Sequence, residues 1–359
     1  MTVTRIGVAG EHAYQVVVGT GVLGELPALV GPSARTVVVV HPEGLDGLAR
    51  PVCGVLAGAG YVVHGEQVPA GEAAKTVGVA ADLWSRLAAH RLTRSDAIVG
   101  VGGGATTDLA GFVAATWLRG VRLVLVPTTL LAAVDAAIGG KTAVNIEAGK
   151  NLVGAFHPPA GVLTDLAALE SLPAAEYVSG LAEVIKAGFI ADPAILDLIE
   201  ADPEGAVVPH GKHARELVER AVRMKAEVVA ADPREAGRRE ILNYGHTLGH
   251  AIELVERYQI RHGEAVAIGM VYAAELARLA GRLGAPALHR HRRVLTAVGL
   301  PTTFLPGAWP ALREAMAVDK KSRGARMRFV VLEGPGRPVI LDDPPEDLMA
   351  RAYEEVASR

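Results

Sequence analysis

Short apolar runs separated by helical patterns dominate the first 170 residues of the chain. These runs are rich in β-branched residues and mostly continuous in apolar character rather than alternating, which is typical of strands buried on both faces of a sheet. They are Tyr14–Val18, Thr36–Val40, Tyr61–Val63, Ala97–Val101, Val121–Val126 and Gly161–Thr164. Between two of them, Glu72–His90 carries apolar residues at helical spacing. The alternation predicts an α/β domain with a Rossmann-like parallel sheet over residues 1–170.

Helical periodicity takes over after the segment Ser171–Pro173, which is a plausible junction because proline is favoured at a helix start. The predicted helices are Ala174–Ile190, Lys212–Ala231, Asn243–Arg257, Glu264–Gly281 and Pro286–Val298. Only Arg328–Leu332 and Pro338–Leu341 have the pattern of strands. The sequence therefore predicts a second, mostly helical domain over residues 171–359, so that the fold class is α/β plus α.

Charge and cysteine content exclude several classes of protein. The chain has 36 Lys and Arg residues against 39 Asp and Glu residues, for a net charge of −3, whereas binding to nucleic acid by bulk charge requires a basic excess. Cys53 is the single cysteine, so an intramolecular disulfide or a cysteine-based zinc cluster is excluded. The N-terminus lacks a signal-peptide pattern, and the longest uncharged stretch, Val294–Leu312, contains three prolines. We expect a cytoplasmic protein that binds a small molecule and neither nucleic acid nor membrane.

A glycine turn follows the predicted strand Ala97–Val101 and precedes a helical pattern. Gly102, Gly103 and Gly104 allow close approach of a ligand, and the next helix offers free N–H groups and a positive dipole end to a pyrophosphate. The usual dinucleotide fingerprint lies in the first βα unit, with an acidic residue about 20 positions later. Here several strands come first, and position 120 is glycine. The turn indicates a dinucleotide or phosphate site of non-standard arrangement.

The segment Ile138–Thr142 is similar to the end of a P-loop but lacks the first glycine of that motif, since position 135 is aspartate. A kinase or NTPase function is therefore not favoured. What remains is a dense polar set directly after a predicted strand, where α/β sheets bind ligands. The set comprises Asp135, Lys141, Asn145, Lys150 and Asn151.

Histidines and one carboxylate form a second candidate site in the helical half. His246 and His250 are four residues apart, on one helix face, which is a spacing typical of zinc ligands, and His262 opens the next helix. Glu183 and Lys186 lie three apart in an otherwise apolar helix, so they must be paired or metal-bound if buried. A His, His and Glu set is a usual environment for catalytic zinc.

The chain closely resembles the 3-dehydroquinate synthases, a family of sugar-phosphate cyclases. The resemblance runs nearly end to end, through the motifs PAGEAAK, GGGATTDLAGF, VPTTLL, DAAIGGKTAVN, GKNLVGAFHPP, GLAEVIKAG, NYGHTLGHAIE, HGEAVAIGM and DKK. It implies an N-terminal NAD-binding domain, a C-terminal helical metal domain, an active site between them and a homodimer.

The resemblance also implies the roles of individual residues. The metal, Zn²⁺ or Co²⁺, would be held by Glu183, His246 and His262, with His250 beside it as a substrate or proton-transfer residue. The implied NAD set is Gly71, Glu72, Lys75, Gly103, Gly104, Ala105, Thr106, Thr107, Asp108, Thr128, Thr129, Lys141, Lys150, Ala168, Leu169, Glu170 and Ser171. The implied catalytic and substrate set is Asp135, Lys141, Asn151, Lys186, Lys225, Arg239, Asn243, His250, Lys320 and Lys321.

The implied reaction converts 3-deoxy-D-arabino-heptulosonate 7-phosphate to 3-dehydroquinate and phosphate. Its steps are transient oxidation by NAD, phosphate elimination, re-reduction, ring opening and intramolecular aldol closure. The chain departs from the common pattern at His41-Pro42, where many members carry Asp or Asn near the adenosine. It also has Thr106 and Thr107 in the glycine loop, and Ser171 in place of a more frequent threonine.

Other functions remain open on sequence grounds. Cyclases that use sedoheptulose 7-phosphate share the fold, but Gly140, Asn243 and His250 take the dehydroquinate-synthase form here. An aminodehydroquinate synthase has nearly the same motifs, so the sequence does not distinguish it. A metal-dependent alcohol dehydrogenase would share the architecture, but the basic residues Lys186 and Lys225 argue against a small neutral alcohol. A non-enzymatic metal-stabilised protein would leave the glycine loop unexplained.

Overall fold

The structure is a computed structural model that describes residues 2–323 and 326–357, without the side chains of residues 318–323. The described chain separates into two units. The first comprises Met1–Leu172 and Lys225–Arg234, and the second comprises Pro173–Met224 and Glu235–Arg359.

A seven-stranded sheet forms the centre of the first unit, in the order β1-β2-β9-β6-β5-β3-β4. All neighbours pair in parallel except β1 and β2, which are antiparallel. The strands are β1 Thr4–Val8, β2 Tyr14–Gly19, β3 Thr36–Pro42, β4 Val62–Val68, β5 Ala97–Gly102, β6 Arg122–Pro127 and β9 Gly161–Asp165. In β3, Val37–Val40 have no exposed surface, as expected for a central strand covered on both faces.

Helices and a ribbon complete the first unit. The helices are α1 Leu26–Val30, α2 Asp46–Gly58, α3 Val77–Ala89 and α4 Gly104–Thr116, and the antiparallel ribbon consists of β7 Lys141–Ile146 and β8 Gly149–Phe156. A core of valines and leucines lies between the sheet and helices α1 and α2.

The second unit is mostly helical, with one small antiparallel sheet. Its helices are α5 Ala174–Ile190, α6 Ala194–Ala201, α7 Pro203–Ala206, α9 His246–Val255, α10 His262–Leu279, α11 Ala285–Ala297, α12 Trp309–Arg323 and α13 Glu346–Glu354. Helix α8, Ala214–Ala231, belongs to this unit up to Met224 and to the first unit from Lys225. The strands β10 Arg328–Leu332 and β11 Pro338–Asp342 pair with each other. These elements confirm the predicted fold class of α/β plus α.

Three predicted helices begin later than expected, and two of them do so for identifiable reasons; the third begins at Ala214 instead of Lys212. The helix predicted from Glu72 begins at Val77, because Thr76 caps it by accepting a hydrogen bond from the Val79 N–H at 3.1 Å. The helix predicted from Asn243 begins at His246, because Gly245 adopts a left-handed φ of 79°. The sequence did not predict the strands of the β7–β8 ribbon, the strand β1 or the helices α1, α2, α6, α7, α12 and α13.

No helix in the described ranges is both long enough and apolar enough to cross a membrane.

Candidate active site

Three side chains from three helices of the second unit converge with the geometry of metal ligands. Glu183 lies within α5, whereas His246 and His262 are the first residues of α9 and α10. The Nε2 atoms of His246 and His262 lie 3.5 and 3.6 Å from Glu183 Oε1, and the ligand atoms of all three residues lie within 4.8 Å of one another. Two ligands about 2.1 Å from a tetrahedral ion would stand about 3.4 Å apart. The separations therefore fit joint coordination better than hydrogen bonding.

The carboxylate of Glu183 supports the same interpretation. Its side chain is 2% exposed, and within the described part of the chain no hydrogen bond of normal geometry satisfies either of its oxygens. Lys186 forms an ion pair with Oε2 from one turn further along α5. The other oxygen, Oε1, faces the Nε2 atoms of His246 and His262 at distances too long for good hydrogen bonds. A bound cation would supply the partner that this buried oxygen needs.

The remaining ring nitrogens of the two histidines face acceptors. His246 Nδ1 lies 3.1 Å from the carbonyl oxygen of Tyr244, and His262 Nδ1 lies 3.4 Å from Glu253 Oε2. A proton on each Nδ1 leaves the Nε2 lone pair directed at Glu183, which is the usual arrangement around metal-binding histidines. Glu253 was not predicted as a site residue, although it belongs to the motif that contains His246 and His250.

Charges around the triad favour an ionised Glu183 and a neutral His246. Burial opposes ionisation of Glu183, but Lys186 and the two histidines outweigh it and hold the pKa of the carboxyl well below its usual range. Burial and the charge of Lys186 hold the pKa of His246 well below its usual range. Both groups are thus in the protonation state that binds a cation.

Further predicted site residues of the second unit lie on α9, on the segment that precedes it and on α12. Arg239, which is 2% exposed, and Asn243 belong to a 3₁₀ segment, Arg238–Asn243, that precedes α9, and His250 follows one turn after His246. The rings of His246 and His250 are 5.2 Å apart. Lys320 and Lys321 lie in α12, but their side chains are outside those that the structure describes.

In the first unit, predicted cofactor residues follow the carboxyl ends of parallel strands. Gly103 and Gly104 follow β5, and Thr128 and Thr129 follow β6, with the Thr128 N–H donating to the Gly102 carbonyl at 2.9 Å. The segment Ala168, Leu169, Glu170 and Ser171 belongs to a 3₁₀ turn after β9, and Gly71 and Glu72 begin such a turn after β4. In α/β sheets this edge is where ligands bind.

A glycine in β5, Gly100, lets α4 pack close to the sheet. A Cβ added at Gly100 would stand 2.8 Å from the Ala110 Cβ, so the strand and helix pack more closely than a side chain there would allow. Thr106 and Thr107 are 2% and 1% exposed, and the Thr107 hydroxyl donates to the Gly104 carbonyl. Since the first N–H groups of a helix have no partner within it, the backbone from Gly104 to Thr106 supplies donors suited to an anion.

A buried lysine links α4 to the β7–β8 ribbon. Lys75 is 3% exposed, and its Nζ donates to Asp108 Oδ2 at 2.7 Å and to Asn151 Oδ1 at 2.6 Å. Burial raises the pKa of Asp108 to about 6, although the ion pair with Lys75 opposes the rise. Lys150 lies beside this group, with its Nζ 4.0 Å from Glu72 Oε2.

A second lysine of the first unit binds Asp135. Lys225 is 6% exposed, and its Nζ lies 2.5 Å from Asp135 Oδ1 and donates to the Asp135 carbonyl at 2.6 Å. Asp135 belongs to a π-helical turn, Ala132–Ala136, and Lys141 begins β7 nearby in sequence. The structure thus places Asp135 and Lys225 together although 90 residues separate them.

Comparison with protein families accounts for most of the chain. Residues 66–179 match the family model for the N-terminal domain of 3-dehydroquinate synthase, and residues 180–322 match that for its C-terminal domain. A 3-dehydroquinate synthase from Thermobifida fusca is 66% identical over 358 residues, which are 99% of this chain and 97% of the relative.

Solved structures of related cyclases share the fold over almost the whole chain. A 2-deoxy-scyllo-inosose synthase in complex with carbaglucose-6-phosphate, NAD⁺ and Co²⁺ has a TM-score of 0.88 and 29% identity, and covers 99% of this chain and 100% of its own. A 2-epi-5-epi-valiolone synthase from Streptomyces hygroscopicus, with NAD⁺ and Zn²⁺ bound, has a TM-score of 0.89 and 28% identity, covering 98% and 99%.

Proposed function

The chain belongs to the 3-dehydroquinate synthase family, and from this premise we propose that it converts 3-deoxy-D-arabino-heptulosonate 7-phosphate to 3-dehydroquinate with release of phosphate. The observation that carries the proposal is the convergence of Glu183, His246 and His262, whose separations fit a tetrahedral cation. NAD is regenerated in each cycle, so the enzyme is a carbon–oxygen lyase without net redox.

The metal would be Zn²⁺ or Co²⁺, held by the triad. A cation there supplies Lewis-acid polarisation of a substrate alcohol. The protein's part is to present one buried carboxylate and two Nε2 lone pairs, with Tyr244 and Glu253 fixing the two imidazole rings. Nitrogen and oxygen ligands in a set of three are typical of catalytic zinc sites with an open position.

The cofactor would be NAD, which supplies reversible hydride transfer. The diphosphate would lie at the N-terminus of α4, where N–H groups and the helix dipole favour an anion. The turn after β4, which contains Gly71 and Glu72, would contact a ribose, and the ends of β6 and β9 would complete the site.

The substrate is anionic, with a carboxylate and a phosphate, and the proposed contacts supply basic and polar partners. In the first unit these are Asp135, Lys141, Asn151 and Lys225, and in the second unit they are Lys186, Arg239, Asn243 and His250, with Lys320 and Lys321 of α12. The buried lysines and arginine form charge-assisted hydrogen bonds with such groups. His250, which is exposed beside the triad, would move a proton at the substrate.

We also propose a cytoplasmic homodimer. The β7–β8 ribbon exposes a group of large apolar side chains, Ile146, Leu152 and Phe156, at 38%, 57% and 51%. Large apolar side chains that solvent reaches on one ribbon favour contact with another protein. Sedimentation of the wild type and of a Phe156→Ser variant measures whether this surface joins two copies.

The decisive experiment is a phosphate-release assay with catalytic NAD and Zn²⁺ or Co²⁺. We expect release from the heptulosonate phosphate without accumulation of NADH. Conversion of all the added NAD to NADH without release of phosphate would show an alcohol dehydrogenase instead. Turnover restricted to sedoheptulose 7-phosphate or to the amino analogue would place the chain with the other cyclases. A His262→Ala variant should lose metal and activity while it remains folded, and full metal content in that variant would contradict the ligand assignment.

A further inference from the structure

Asn145, at the end of β7, joins two turns of the first unit that carry proposed ligand-binding residues. Its backbone N–H donates to the Lys75 carbonyl at 2.7 Å, and its Nδ2 donates to Glu72 Oε2 at 2.6 Å. Its Oδ1 accepts the Asn151 N–H at 3.1 Å. One side chain therefore uses both its donor and its acceptor to connect segments that lie 73 and 6 residues away.

The turn that Asn145 holds on one side has a strained backbone. Asn151 adopts a left-handed φ of 58°, a conformation that is unfavourable for residues other than glycine, although asparagine tolerates it better than most. Two contacts offset this cost. They are the bond from its N–H to Asn145 and the bond that its Oδ1 accepts from Lys75 at 2.6 Å.

On the other side, Asn145 orients an otherwise exposed carboxylate. The side chain of Glu72 is 51% exposed, so packing does not fix its rotamer. The hydrogen bond from Asn145 does so, and it leaves the second oxygen of Glu72 for a hydroxyl group. Because the contact is near the surface, its loss affects the position of these groups more than the stability of the fold.

We propose that Asn145 is a positioning residue, which couples the cofactor-side turn of Glu72 to the substrate-side turn of Asn151. The inference rests on the proposed function, in which Glu72 contacts the ribose and Asn151 contacts the substrate. The amide suits both partners, because its NH₂ donates to a carboxylate while its oxygen accepts from an N–H.

The test replaces the Nδ2 donor of Asn145, which bonds Glu72, by an acceptor oxygen. In Asn145→Asp the new carboxylate still accepts from the Asn151 N–H but faces Glu72 with a like charge. We expect the dissociation constant for NAD, measured by titration, to rise about tenfold, which is typical for loss of a hydrogen bond to a charged group. The substrate KM at saturating NAD should rise as well, because the shared side chain moves.

Rescue by a second substitution distinguishes positioning from general damage. Glu72→Gln alone should weaken NAD binding or leave it unchanged, whereas in the Asn145→Asp background it should strengthen NAD binding, since the new amide donates to the new carboxylate. Gln67→Glu is a matched control, because it makes the same change beside Asp46, whose Oδ1 accepts from Gln67 Nε2 at 2.9 Å in the same unit. It should leave NAD affinity and KM unchanged.

Two outcomes would overturn the inference. One is wild-type NAD affinity and KM in Asn145→Asp, and the other is a double variant no better than Asn145→Asp alone. If the wild-type protein fails to bind NAD or to release phosphate, the proposed function itself is wrong, so the two failures are distinguishable.

Discussion

Glu253 Oε2 lies 3.4 Å from Nδ1 of His262, on the side of the ring opposite to Glu183. Both carboxylates face one imidazole, one at each nitrogen. An acceptor at Nδ1 fixes the tautomer and the ring plane, so that Nε2 is left to bind a cation. The triad is therefore held by contacts that extend beyond its three members.

Replacement of Glu253 by glutamine should weaken metal binding without unfolding the protein. The amide can present its NH₂ instead of an acceptor to Nδ1, and loss of such a partner lowers metal affinity by roughly 10–100-fold. Competition with a chelator measures the affinity for Zn²⁺ or Co²⁺. The control is Glu256→Gln, one turn further along the chain, which should retain wild-type affinity. Equal affinities in both variants would contradict the role of Glu253.

Gly245 should tolerate no side chain, because it sets the start of α9 and hence the position of His246. Its φ is 79°, and an added Cβ would lie 2.7 Å from Met270 Cγ and 2.8 Å from the Val266 carbonyl oxygen. We expect Gly245→Ala to lower the free energy of unfolding by about 3 kcal/mol, from backbone strain and overpacking together.

Gly281→Ala is the matched control for this prediction. Gly281 also has a positive φ, 71°, but an added Cβ there meets nothing within 4 Å. Only the backbone cost of about 1 kcal/mol should appear. Urea unfolding measures both variants, and similar losses in the two would show that crowding by Met270 and Val266 is unimportant.

The sequence predicted those features that depend on local pattern. The apolar run of β3 and the mostly apolar sequence of α5 predict a buried strand and a buried helix without knowledge of what packs against them. The strand β8 was missed because Gly149–Phe156 is mostly exposed and so has no buried-face pattern. The contacts of Asn145 with Glu72 and of Lys225 with Asp135 join residues far apart in the chain. A local sequence pattern does not predict which distant residues come into contact. The metal triad was assigned through the family motifs, since spacing alone favoured His246 with His250.

His291 should make the stability of the protein depend on pH. The ring has no exposed surface, stacks on Phe189 at 3.6 Å and accepts the Tyr244 hydroxyl at 2.7 Å. Burial lowers its pKa from 6.5 to about 4, with a smaller contribution from Arg290. Since the unfolded chain takes up the proton first, stability is fully present above pH 6.5 and is lost as the pH falls towards 4, by about 3 kcal/mol.

A His291→Gln variant should show a shallower decline of stability over this window than the wild type. Both proteins carry the same metal site, so the difference between their unfolding curves isolates His291. His289→Gln, on the same helix but exposed, should follow the wild type. Parallel pH profiles for wild type and His291→Gln would contradict the prediction.

Lys225 should be needed for turnover far more than for folding. Lys225→Met preserves the length of the side chain but leaves Asp135 without this cation, and the 29% exposure of Asp135 lets water replace part of the lost interaction. We expect a loss of about 2 kcal/mol in the free energy of unfolding, below the usual cost for a fully buried pair. In contrast, kcat/KM should fall about 100-fold or more, because an anionic substrate loses a desolvated partner. Lys212→Met removes an exposed lysine and should change neither quantity. Phosphate release and thermal unfolding measure the two effects, and a Lys225→Met enzyme with near wild-type kcat/KM would remove this residue from the substrate site.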